Sequence, residues 1–290
     1  MTVDRRTAPL LVLGGVVSVQ FGGALAATLV PKIGAAGSVT LRLLFAMVIL
    51  YAVARPSWRG RSRSDWLTMV LFGLALAAMN TAFYASLEYL PIGVAVTVEF
   101  LGPLTLAAVL SRRPRDLAAV LAAAVGVALV SGAAGADWGR FAPVGLAWAA
   151  VAGAMWAAYI MLSQRTGTAF AGLDGLALAL IVSSLAVAPF GLGSMGSWSP
   201  SIIALGLGIA VLSSVLPYSL ELLALRHLPQ NVFGILLSIE PAVAALAGFI
   251  VLGQLLDTGQ LAGMALVVAA SVMVLGSSER PEAPEPTMGP

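Results

Sequence analysis

Four ionisable residues, Arg42, Glu99, Glu221 and Glu240, lie inside long apolar stretches of the sequence. A charge at the centre of a membrane helix costs about 2.5–3.5 kcal/mol on insertion scales, so the four together would cost on the order of 10 kcal/mol if left unpaired in lipid. They must face a protein interior or a wet cavity. Glu99 is followed by Phe100-Leu101-Gly102-Pro103, and Glu240 directly precedes Pro241. Proline removes a backbone N–H and frees a carbonyl one turn earlier. Within a membrane such breaks persist only where protein or water satisfies the freed groups. A carboxyl group beside a helix break is therefore a candidate cation or proton site. The blander reading is a structural Glu bonded to neighbouring backbone. Arg42 could meet a carboxylate of a solute, or pair with one of the acids.

Polar side chains recur at helical spacing around these groups. Asn80, Tyr84 and Glu88 share one face, as do Ser214, Pro217 or Tyr218, and Glu221. Gln20 stands beside Gly22-Gly23, and Trp148, Trp156 and Tyr159 form an aromatic stripe. These faces could line and wall a cavity. Ordinary helix–helix contacts and an interfacial aromatic belt are the structural alternatives.

The elements that must position them are membrane helices. Sixty per cent of the 290 residues are hydrophobic and 10% are charged, with mean hydropathy +0.99. A soluble domain carries about 25% charged residues, so lipid is the expected solvent. Apolar stretches predict spans at 9–30, 36–54, 66–87, 91–110 and 117–133, then at 143–163, 173–191, 201–224, 229–252 and 260–277. The first run is too long for a signal-peptide core and is read as a retained helix. The Pro- and Glu-rich tail, 278–290, is expected to be disordered.

Positive charges set the orientation. With the N-terminus in the cytoplasm, Arg5, Arg6, Arg55, Arg59, Arg61, Arg63, Arg112, Arg113, Arg115, Arg165, Arg226 and Arg280 all fall inside. Lys32 and Arg140 alone fall outside, and Arg42 lies within a span. This distribution predicts both termini in the cytoplasm. Ser86-Leu87-Glu88-Tyr89-Leu90-Pro91 resembles Ala224-Leu225-Arg226-His227-Leu228-Pro229, and Pro103 and Pro241 follow at the same spacing. Two five-span repeats, 1–135 and 141–277, are thus expected. An odd number of spans per repeat makes them inverted, with a site near the bilayer midplane.

Several chemistries are excluded or disfavoured. There is no cysteine and only one histidine, His227, which removes thiolate catalysis and Cys- or His-rich metal sites. No nucleotide-binding motif occurs, and no cofactor is expected. An alternating-access secondary transporter is the leading reading. A non-transporting scaffold or a membrane-embedded enzyme is the alternative from other classes.

Three stretches carry a family resemblance. They are Ser18-Val19-Gln20-Phe21-Gly22-Gly23-Ala24-Leu25-Ala26, Val98-Glu99-Phe100-Leu101-Gly102-Pro103-Leu104 and Leu237-Ser238-Ile239-Glu240-Pro241-Ala242-Val243-Ala244-Ala245-Leu246-Ala247-Gly248. With the two-repeat layout they resemble the drug/metabolite transporter superfamily, its EamA domain and, within it, the threonine/homoserine exporter branch. One departure is Gly253-Gln254, where many members have Gly-Glu. The resemblance implies an inner-membrane exporter of small amino acids driven by proton exchange. The partners it implies are a small-molecule solute, protons and lipid, with a homodimer admissible and no nucleic acid. Exporters of hydrophobic cations or drugs are the rival within the superfamily.

Overall fold

The computed structural model describes residues 7–86, 88–90, 92–111, 113–130, 142–240, 242–243, 246 and 257–278. Pro241, Pro91, Arg140, Gly253-Gln254, the terminal arginines and the tail beyond 278 lie outside the described residues, as does most of the predicted span 229–252 after Glu240.

The first helix, α1, runs Ala8–Ala54, 47 residues. A straight helix of that length would measure roughly 70 Å, about twice a bilayer. It does not run straight. Gly34 adopts φ 75° and ψ 168°, three residues after Pro31, and breaks the helix there. Only glycine enters that conformation freely. The two spans predicted at 9–30 and 36–54 are therefore the limbs of one helical run, joined by a kink instead of a loop.

The other helices among the described residues are α2 (Arg63–Ser86), α3 (Ile92–Leu110), α4 (Pro114–Val130), α5 (Pro143–Ala169), α6 (Asp174–Gly191), α7 (Pro200–Ala210), α8 (Leu216–Leu225), α9 (Gln230–Leu237) and α10 (Thr258–Ser278). Among the described residues there is no strand. Among the described residues five helical segments are long and apolar enough to cross a membrane, and three shorter ones are apolar. The predicted span 201–224 is divided: a π turn, Val211–Val215, separates α7 from α8. Pro217 explains it. In a regular helix its ring would clash with the carbonyl of Ser213, and the wider turn just before it relieves that clash.

Packing pairs early helices with late ones. α2 lies against α5 and α6, α3 against α5 and α9, and α4 against α10, while α1 packs on α6, α7 and α8. Small residues permit the closest approaches. A Cβ at Gly126 would stand 2.9 Å from the Gly263 carbonyl, and one at Gly263 would stand 2.7 Å from that of Gly126. Between α3 and α5 a Cβ at Gly102 would run into the Gly153 backbone, and one at Gly153 into that of Glu99. The core at the centre includes Phe72, Tyr159, Ile160 and Phe233, whereas Val109, Leu121 and Phe190 point outward, as lipid-facing residues do.

One end of the bundle is laced together. Arg61 donates to the Ala169 carbonyl at 2.8 Å, lies 4.7 Å from the centre of the Phe170 ring and stands 3.9 Å from Asp174. Arg226 donates to the carbonyls of Phe170 and Gly172 at 3.0 and 2.6 Å. Gln164 donates to the carbonyls of Leu225 and Leu228 and accepts from Gln230 at 2.6 Å. Asn231 reaches Asp116 at 3.5 Å. The segments joined here all fall on the side that the arginine count assigns to the cytoplasm.

Candidate functional site

The site begins with two limbs that proline and glycine allow to come together. In α3, Pro103 has no N–H to offer the Glu99 carbonyl. That carbonyl faces Gly153 of α5, where a Cβ would stand 2.6 Å away. The absence of a side chain at Gly153 lets α5 close on α3 beside the Glu99 carbonyl. Phe100 and Trp156 then meet edge to face, with ring centres 4.7 Å apart.

Deeper in the bundle, Arg42 of α1 is 7% exposed and donates to Asn80 Oδ1 of α2. Asn80 Nδ2 donates to the Leu76 carbonyl at 2.8 Å and to Tyr218 Oη of α8 at 3.3 Å. The Tyr218 ring stands 5.8 Å from Tyr159 of α5. Tyr159 donates to Glu221 Oε2 at 2.6 Å, and Phe72 covers the Tyr159 ring at 5.5 Å. Side chains from α1, α2, α5 and α8 thus form two hydrogen-bonded groups in an apolar core, Arg42–Asn80–Tyr218 and Tyr159–Glu221, joined by the contact of the two tyrosine rings.

Glu99 is 9% exposed and Glu221 5%. Glu240 accepts from Gln20 Nε2 at 3.4 Å and lies within electrostatic range of both Glu221 and Glu99. Three carboxyl groups converging in one buried region attract a cation, whether ammonium or proton. Among the described residues Arg42 stands within ion-pair distance of no carboxylate.

The residues singled out from sequence fall into three groups. Arg42, Asn80, Tyr218, Tyr159, Glu221, Gln20, Glu240 and Glu99 come together, with Trp156 on the wall. Tyr84 is half-buried, edge-on to Phe83 and within electrostatic range of Tyr218, so it borders the cluster. Trp148 shares the aromatic stripe but is 40% exposed near the start of α5, and stands apart. Pro217 follows the π turn beside the cluster, whereas α3 runs on through Pro103, so the break expected there is only a missing N–H in a continuous helix. Sequence reasoning did not assign Phe72 and Phe100 to the walls, nor Ser18, whose hydroxyl donates to the Leu212 carbonyl in the π turn at 2.7 Å. Pro217 was the available signal for Ser18, since it predicts loose carbonyls in the preceding turn.

Similarity to known proteins identifies the family. The model of the EamA-like transporter family matches residues 143–276. The threonine/homoserine exporter RhtA of Salmonella typhimurium is 41% identical over 266 residues, covering 91% of this chain and 89% of the relative. The exporter of the same name from Escherichia coli K12 is 40% identical over the same length. The chain belongs to the EamA-like transporter family. A crystal structure only 18% identical superposes on this EamA-like transporter with a TM-score of 0.76, covering 94% of this chain and 99% of the other, which establishes the shared fold. The protein is accordingly a multi-pass membrane transporter, not an enzyme, and its polar core is a candidate solute path.

Proposed function

We propose that this transporter exports small amino acids such as threonine or homoserine across the cell's inner membrane in exchange for protons. The observation that carries the reading is the cluster of buried Glu99 and Glu221 with half-buried Glu240, and Arg42 nearby. A zwitterion needs an acceptor for its ammonium and a donor for its carboxylate, and few uncharged solutes would warrant both signs in a membrane interior. The exporters named for threonine and homoserine that match along nearly the whole chain favour the same class. The acids hold the ammonium in one state and protons in the other.

In this reading the cluster lies between two inverted five-helix repeats, 1–135 and 141–277, with both termini in the cytoplasm. Supporting the repeat, Asn80 and Tyr218, 138 residues apart, are hydrogen-bonded to each other at the centre. Gly34 and Gly172 are separated by the same interval and both have positive φ, 75° and 48°. The pairings are reciprocal as well, since α1 packs on α7 and α8 as α5 and α6 pack on α2. Alternating access then consists of one half rocking against the other around a fixed site.

Proteoliposomes loaded with labelled threonine or homoserine and placed in acidic medium test this. Efflux should exceed that without a pH gradient, and Glu99→Gln should slow it at least about tenfold, the loss of one well-placed proton-transfer group. Efflux indifferent to the gradient removes proton coupling, and Glu99→Gln exporting as fast as wild type removes Glu99 from the mechanism. A second reading, export of hydrophobic cations, draws on the aromatic wall of Phe100 and Trp156. Competition by such cations against labelled threonine would favour it.

A further inference from the structure

Among the described residues Arg42 is a buried cation without a protein anion. Its Nη2 bonds to the neutral oxygen of Asn80, and its Nε has no partner. A guanidinium presents a planar fork of five N–H donors matched to a carboxylate. Removing it from water is costly unless an anion meets it. Three carboxyl groups occupy the same core, yet none approaches Arg42 within ion-pair distance among the described residues.

Asn80 accounts for the separation. Its Nδ2 is committed to the Leu76 carbonyl and to Tyr218 Oη, which turns its oxygen toward Arg42. The amide therefore orients the guanidinium without neutralising it. Tyr218 stands within electrostatic range of both Arg42 and Glu221, so the positive and negative groups flank a common neighbourhood.

We propose that Arg42 binds the carboxylate of the transported solute and that Asn80 is its positioning residue, holding it with a neutral oxygen so that its charge remains open. This rests on the transport reading above and sharpens it: solutes lacking a carboxylate are rejected at Arg42, whatever their amine.

The test uses purified full-length protein and two ligands, threonine and isopropanolamine, which is threonine without its carboxyl group. Binding is measured by competition against labelled threonine and by thermal stabilisation. Wild type should prefer threonine about a hundredfold, the worth of one charge-assisted bidentate contact. Asn80→Asp places an anion on Arg42 and should weaken threonine about a hundredfold while leaving isopropanolamine within about threefold. Arg42→Gln should erase the preference. Wild type binding both ligands equally, a result that needs no variant to fold, overturns the proposal. A folded Asn80→Asp protein that binds threonine as tightly as wild type overturns it too. Wild type stabilised by other carboxylates but by neither threonine nor homoserine sinks the amino acid reading and leaves the role of Arg42 standing.

Discussion

Tyr159 does two jobs at once. Its ring packs between Phe72 and Tyr218, and its hydroxyl donates to Glu221 at 2.6 Å. A hydrogen bond to a charged group contributes roughly 1.5–3 kcal/mol, equivalent to about tenfold to a hundredfold in rate or affinity. Tyr159→Phe keeps the ring and loses the bond. Transport should fall by about that factor, while yield and elution of the purified protein stay as in wild type. Unchanged transport would show that the hydroxyl is a bystander. The charged members of this cluster were legible in the sequence because lipid makes every embedded charge conspicuous. Tyr218 was legible through its spacing from Glu221, Asn80 through its spacing from Tyr84 and Glu88, and Tyr159 through the stripe it forms with Trp148 and Trp156. Phe72 and Phe100 were not, since in a chain that is 60% hydrophobic one apolar aromatic looks like another. Gln164, Gln230 and Arg226 were missed for a different reason. They sit at helix ends, where amides and arginines need no special explanation.

Helix pairing rests on close backbone approach. Water does not drive transmembrane helices together, so contact depends on van der Waals fit and on residues small enough to allow it. The reciprocal Gly126 and Gly263 contact between α4 and α10 is such a fit. Gly126→Val would drive a branched side chain against Val267 and the Gly263 carbonyl. Overpacking of this kind costs about 1–3 kcal/mol. The expected outcome is a lower midpoint in detergent thermal unfolding, with solute preference unaffected because neither residue touches the polar cluster. An unchanged midpoint would mean that the pair can separate at no cost. Helix positions followed well from hydropathy, yet two features did not. The continuity of α1 through Gly34 is invisible to hydropathy, which sees only a polar dip near Lys32. The π turn leaves a sequence trace in Pro217, but a proline specifies a break without specifying its form.

At the scale of the molecule, the arginine count argues for cytoplasmic termini. The laced end joins Arg61 and Arg226 to the segment around Phe170, and Asn231 to Asp116, all on the arginine-rich side. A fluorescent protein fused to the C-terminus should therefore fold and fluoresce, as such fusions do only in the cytoplasm, and alkaline phosphatase fused there should be inactive. The opposite pair of results would invert the topology. Within that end the ion pair of Arg61 with Asp174 is partly exposed and contributes little by itself. The charged and amide bonds to main-chain carbonyls from Arg226 and Gln164 hold the segments more firmly, since those carbonyls would otherwise be short of donors.

The kink at Gly34 has a practical corollary. Membrane proteins are commonly mapped by splicing antigenic peptides or protease sites into the turns between spans. Between the first two spans of this chain there is no turn to receive one, only a single residue whose backbone does the bending. An insert there would add helix or slack on one limb and rotate the faces carrying Gln20 and Arg42 relative to each other. At exposed Gly60, where a side chain would meet nothing within 4 Å, the same cargo would not carry that cost.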